Sequence, residues 1–449
     1  MTPLLFLGLL LASTLRVAPQ ADDTTLYTPV TGPWRAELES PGGSLPFGLE
    51  LRRVRGEGQL APESWQADLV NGPERIPVPI VAWVDGELRL ELDQYDSRIV
   101  ARPIRSDKVL EGIWTRRGMN DIDVRLPFRA RAGDAPRFAP DDRFFGAPGT
   151  SVAGRWSVNF SDSKEPAVGI FEQDEKGIVL GTFLTTTGDY RWLAGSLEGG
   201  RLRLSCFDGA HAFLFDALLL QDGTLRGDFW SRDAWHETWN ASPDPTAELP
   251  DPFAATSWNK SIRVDSLAFT DAETLARRTL GDPDLRGKPR IIQVFGSWCP
   301  NCLDETRYLA ELHARYSERG LTIVGVAFEL SGNSRKDVIQ LARWRARVAV
   351  PYPILYGGIA DKPKATVTFG GLDRIRAFPT TIFVDREGNV VAVHTGFAGP
   401  ATGAAHERLR TRFEELVERI LREGTERRGS EASGGPDADP EARREGERR

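Results

Sequence analysis

The sequence predicts a multi-domain chain in which a duplicated antiparallel β domain, sandwich or barrel-like, precedes an α/β domain. Three observations carry this. Residues 22–241 consist of short alternating apolar and polar runs, three patterns within them recur at a nearly constant offset, and from about Trp258 strands begin to alternate with helices.

In the β-rich part, runs such as Leu88-Arg89-Leu90-Glu91-Leu92 and Leu202-Arg203-Leu204-Ser205-Cys206 are bounded by Gly, Asp and Asn turns. Gly32-Pro33-Trp34 matches Gly154-Arg155-Trp156, Gly86-Glu87-Leu88-Arg89-Leu90 matches Gly200-Arg201-Leu202-Arg203-Leu204, and Leu110-Glu111-Gly112-Ile113-Trp114 matches Leu225-Arg226-Gly227-Asp228-Phe229-Trp230. The offsets cluster at about 115 to 122 residues, which points to two copies of one unit, 22–147 and 148–241. Consecutive hairpins of this kind form paired sheets or a barrel, and closure removes exposed edges. The tryptophans of this part are expected to be core or rim packing, and Cys206 a buried free thiol. A partner or ligand of the β module is the rival expectation.

A Pro- and acid-rich stretch, 242–256, reads as a linker, 257–424 as the α/β domain, and the Gly/Glu/Arg-rich 425–449 as a disordered tail. The apolar run Leu4 to Ala12 is too short to span a bilayer and suits a signal peptide over 1–21; an uncleaved anchor is the alternative. Formal charge is −7, from 57 basic and 64 acidic residues, without the basic footprint of a nucleic-acid binder. Three cysteines in 449 residues exclude a disulfide-stapled scaffold. Two of them stand three positions apart, which points to thiol chemistry.

Arg290-Ile291-Ile292-Gln293-Val294-Phe295-Gly296 is the apolar run of a central strand covered on both faces. It leads into Ser297-Trp298-Cys299-Pro300-Asn301-Cys302, where Pro300 suits the first turn of a helix. Cys302, Glu305, Leu309, Leu312 and Tyr316 follow at steps of three and four and share the inward face. Cys302 is therefore the sheltered cysteine and Cys299 the exposed one at the helix N-terminus. Unpaired N–H groups there favour a Cys299 thiolate. Attack on a substrate disulfide, followed by resolution through Cys302, leaves a redox-active Cys299–Cys302 disulfide. Glu305, one turn on, is placed to take the Cys302 proton. Further along, Ala377 to Asp385 reads as a strand with Pro379 at its head, and Val390 to His394 as a second strand.

Trp298-Cys299-Pro300-Asn301-Cys302, Glu305 and Phe378-Pro379-Thr380-Thr381 resemble the TlpA/ResA branch of the thioredoxin superfamily. The resemblance covers roughly residues 258–421. It implies a thioredoxin-like domain and an extracytoplasmic, periplasmic-type thiol–disulfide oxidoreductase. It further implies a cis Pro379 beside the cysteines and Glu305 in the family's glutamate position. Trp298, Pro300, Phe378 and Pro379 would form the substrate-binding surface. The implied partners are a disulfide-bonded protein substrate and a membrane thiol electron donor, with reduction as the direction; an oxidant or isomerase is the alternative. A different class of alternative is an envelope ligand- or partner-binding protein whose thioredoxin-like domain is accessory. A peroxidase is disfavoured, because Gly296 stands where a Thr or Ser is wanted. No cofactor is expected, and a zinc site is not, for want of a second ligand pair. His394 and His406 are expected to be solvated or helix-edge residues.

Overall fold

The computed structural model describes residues 27–55, 63–139 and 150–422; the segments read as signal peptide and tail lie outside these. The first β module is a meander of β1 (Gly32–Ser40), β2 (Gly43–Arg55), β3 (Glu63–Asn71), β4 (Glu74–Pro77), β5 (Ile80–Val84), β6 (Glu87–Leu92), β7 (Ser97–Pro103), β8 (Val109–Arg117) and β9 (Asp123–Ala132). Neighbours in sequence pair antiparallel and β9 returns to β1, leaving β4 and β5 as edges. The second comprises β10 (Gly154–Phe160), β11 (Ala167–Gln173), β12 (Ile178–Thr185), the two-residue β13 (Gly188–Asp189), β14 (Leu193–Glu198), β15 (Arg201–Phe207), β16 (Ala212–Leu219), β17 (Leu225–Ser231) and β18 (Trp235–Pro243). Here β12 pairs with β14 and β18 with β10, so the sheet closes into an up-and-down barrel. The first module stays open because the equivalent strands β3 and β5 do not pair.

The duplication is visible in detail. Trp34 and Trp156 occupy the same position of β1 and β10, both buried, and each indole N–H donates to the carbonyl four residues earlier, Val30 at 3.2 Å and Val152 at 2.8 Å. Rings of Phe160, Phe183, Phe215 and Phe229 fill the closed barrel, with Phe215 and Phe229 stacked at 4.3 Å. Trp34, Trp114, Trp156 and Trp239 are core residues, and Cys206 is fully buried. Phe207 of the second module packs against Phe47 and Trp114 of the first, joining the two.

The last domain adds β19 (Ala268–Asp271), β20 (Arg277–Thr279), β21 (Arg290–Phe295), α1 (Pro300–Tyr316), β22 (Thr322–Glu329), α2 (Ser334–Val348), β23 (Ile354–Ile359), α3 (Lys362–Phe369), β24 (Thr380–Val384), β25 (Val390–Thr395) and α4 (Ala404–Arg422). Its sheet runs β20-β19-β23-β22-β21-β24-β25, with β21, β22 and β23 parallel and β24 and β25 antiparallel at one side. Every residue of β21 is buried, as its apolar run requires. The expected linker begins two residues inside β18, which extends to Pro243.

Candidate active site

Chain direction places the cysteines. The buried strand β21 ends at Phe295, and α1 starts at Pro300 with Cys299 as its N-cap. Cys299 Sγ accepts from the Cys302 N–H at 3.4 Å and donates to the Phe378 carbonyl at 3.4 Å. Both thiols are free; Cys302 is fully buried and Cys299 is 7% exposed. The "exposed" cysteine of the sequence reading is thus the outer of two covered thiols. Burial, with Cys299 beside it, pushes the Cys302 thiol well above its ordinary range. The Phe378–Pro379 bond is cis. Trp298 packs edge-on against Phe378 at 5.7 Å and donates its indole N–H to the Phe328 carbonyl at 2.9 Å. Trp298, Pro300, Phe378 and Pro379 are therefore gathered around the pair, with Pro300, Phe378 and Pro379 buried.

Glu305 lies on the predicted inner face of α1, together with Cys302, Leu309, Leu312 and Tyr316. It is fully buried. Its oxygens accept from Thr381 Oγ1 at 2.6 Å and Gln293 Nε2 at 2.9 Å, and Gln293 also donates to the Cys302 carbonyl at 3.2 Å. Burial raises its pKa to about 7, against the lowering effect of those two donors. A carboxyl that exchanges its proton near neutrality is suited to acid–base work on the adjacent thiol.

Sequence reasoning missed a second buried carboxyl. Glu329, the last residue of β22, accepts from the Ser297 N–H at 2.8 Å and the Ser297 hydroxyl at 2.7 Å, and burial raises its pKa to about 8. An acidic residue ending an otherwise apolar strand was the available signal. Glu329→Ala leaves the buried Ser297 amide without its acceptor, and a loss of about 1–3 kcal/mol is expected in urea unfolding. His394 departs from expectation: it lies in the buried end of β25, is 2% exposed and packs against Phe253 and Phe413. Burial depresses its pKa to about 3. His406 is part-buried, with Nδ1 at 2.8 Å from the Ala398 carbonyl oxygen. Among the described residues, no group of three or more His, Cys, Asp or Glu is arranged to hold a metal ion.

Both β modules reach this site. Arg116 of β8 donates to the Trp298 carbonyl at 2.6 Å, Asn301 donates its side-chain amide to the Asp189 carbonyl at 3.1 Å, and Arg191 pairs with Asp304 of α1 and with Glu74. A Cβ on Gly188 would lie 2.2 Å from Asn301 Nδ2, so this close approach requires glycine.

A mixed sheet whose buried strand β21 feeds a Cys-X-X-Cys helix, with a cis-proline strand alongside, defines a thioredoxin-like redox domain. Residues 263–406 match the Redoxin family model, so the C-terminal part of the chain carries a redoxin domain, and its relatives support a TlpA/ResA-like type. It is 30% identical over 113 residues to thiol-disulfide oxidoreductase ResA of Halalkalibacterium halodurans, covering 25% of this chain and 57% of that protein. It is 27% identical over 135 residues to thiol:disulfide interchange protein DsbE of Pasteurella multocida, covering 30% and 64%. Both alignments thus span less than two thirds of the relative. A crystal structure of a thioredoxin-family thiol:disulfide interchange protein from Chlorobium tepidum is 22% identical, with a TM-score of 0.27, covering 35% of this chain and 95% of that one.

Proposed function

We propose that the protein is an extracytoplasmic thiol–disulfide oxidoreductase that reduces protein disulfides through Cys299 and Cys302. The observation that carries this reading is the placement of Cys299 at the N-cap of α1, its sulfur 3.4 Å from the Cys302 amide and beside the cis-Pro379 loop. The Cys299 thiolate attacks a substrate S–S bond, forming a mixed disulfide and expelling one substrate thiolate. Cys302 gives its proton to Glu305 and attacks the Cys299 sulfur. The second substrate thiolate leaves, and the Cys299–Cys302 disulfide forms as two electrons pass to the substrate. Thiols of a membrane electron donor reverse these steps to regenerate the pair. Trp298, Pro300, Phe378 and Pro379 form the substrate platform.

Resemblance to ResA and DsbE supports thiol–disulfide exchange and the extracytoplasmic location. Among the described residues no helix is long and apolar enough to cross a membrane. Contacts of Arg116, Asp189 and Arg191 with the redox helix disfavour an accessory thioredoxin-like domain on an independent binding protein. Equilibration of the cysteine pair with a thiol redox buffer tests the direction. A reductase gives a potential near thioredoxin's, about −270 mV; a value near −120 mV assigns an oxidant instead.

A further inference from the structure

The first β module carries to the redox motif a buried cation that makes no ion pair among the described residues. Arg116 is 3% exposed; Nη1 donates to the Ala210 carbonyl at 2.9 Å, Nη2 to the Trp298 carbonyl at 2.6 Å, and Nε has no partner. Both acceptors are neutral carbonyls, and among the described residues no carboxylate forms an ion pair with Arg116. Asp208, the carboxylate that acts on it, is paired with Arg191 and His211, and burying a guanidinium without an ion pair of its own is unfavourable unless a negative charge develops nearby. The residue that follows Trp298 is Cys299, so the bond to the Trp298 carbonyl holds the guanidinium one residue along the chain from the outer thiol. Burial lowers the Arg116 pKa to about 10, which leaves the guanidinium charged at neutral pH.

We propose that Arg116 is a positioning residue of the redox centre: its buried charge stabilises the Cys299 thiolate, so docking of the β module sets the reactivity of the pair. This rests on the reading of Cys299 as the attacking thiol. The other groups facing Cys299 are Cys302 on α1, Lys362 at the start of α3, and Tyr95 between β6 and β7. Behind them, Asp208 and Arg232 act on Arg116, Arg191 and Arg307 act on Tyr95, and Glu305 acts on Cys302. Lys362 is the redoxin domain's own cation at the thiol, whereas Arg116 is supplied from outside that domain. The arrangement gives the β module a chemical task that the redoxin domain does not perform alone.

The test is the pH dependence of Cys299 alkylation by iodoacetamide in the reduced full-length chain, read by peptide mass spectrometry, for the parent, Arg116→Gln and Arg116→Lys. Arg116→Gln is expected to move the profile to higher pH and to slow alkylation at about pH 6 by roughly fivefold to tenfold, while Arg116→Lys stays within about twofold of the parent. The potential of Arg116→Gln is expected to become more negative, by about 30 mV for a tenfold change, because the reduced form loses stabilisation. Mere loosening of the modules predicts the opposite sign, faster alkylation at every pH with an unmoved midpoint. That result, or identical profiles for parent and Arg116→Gln, overturns the proposal. Arg116→Met, which keeps the aliphatic volume, carries the comparison if near-UV circular dichroism shows that the amide variant does not fold. Failure of the underlying reading shows separately, as Cys302 rather than Cys299 being the faster-alkylated cysteine of the parent.

Discussion

Cys302→Ser is expected to arrest the protein as a mixed disulfide with its substrate, linked through Cys299, while Cys299→Ser forms no adduct at all. The asymmetry follows from position. Cys299 caps α1 and is the outer thiol, whereas Cys302 is sealed beneath it and can react only with a sulfur already attached to Cys299. Removing the attacking sulfur leaves no nucleophile at the helix start, so turnover with a protein disulfide should fall by roughly three orders of magnitude or more. Non-reducing electrophoresis and mass spectrometry after mixing with excess disulfide substrate read both outcomes. Equal trapping by the two variants would remove the assignment of separate roles.

Glu305→Gln is expected to separate stability from activity. The folded carboxyl titrates near 7 against an ordinary value of 4.5, a raised pKa. Its favourable protonated state is fully available below about pH 4.5, and that contribution is lost as the pH rises through 7. The parent should therefore lose up to about 3 kcal/mol from this group across that window, and the variant should not. The introduced amide can still accept from Gln293 and donate to Thr381, so the hydrogen-bond frame survives. Above pH 7 the variant should be the more stable protein, with little difference at pH 4. Resolution of the mixed disulfide should nevertheless slow by about a hundredfold near neutrality and lose its inflection near pH 7, because no carboxylate takes the Cys302 proton. A variant that resolves at the parent rate would show that Glu305 is structural.

How much of this was legible in the sequence depended on the range of the interactions. The inward face of α1 follows from a local period, so Cys302, Glu305 and Leu309 could be placed from spacing alone. The buried strand β21 was legible from its apolar run, and the duplication of the β modules from the repeated tryptophan and glycine patterns. Whether a module closes was not, because both copies carry the same alternation. The difference lies in the pairing of β12 with β14, where β3 and β5 stay apart, and no local pattern marks it. The docking of those modules on the redox helix was also beyond reach. Arg116 and Trp298 are separated by 182 positions and Asn301 and Asp189 by 112, and nothing local marks either pair. His394 was misjudged because a lone histidine near a strand end gives no sign of which face the strand presents to α4.

The most direct test of the central claim is a single-turnover experiment on the reduced protein with one equivalent of a disulfide-bonded protein substrate. Peptide mass spectrometry would follow the cysteines while substrate thiols are counted. The account predicts two substrate thiols released per chain and a new Cys299–Cys302 disulfide, both absent in Cys299→Ser. Stoichiometric thiol release by Cys299→Ser, or release by the parent with Cys299 and Cys302 still reduced, would contradict it.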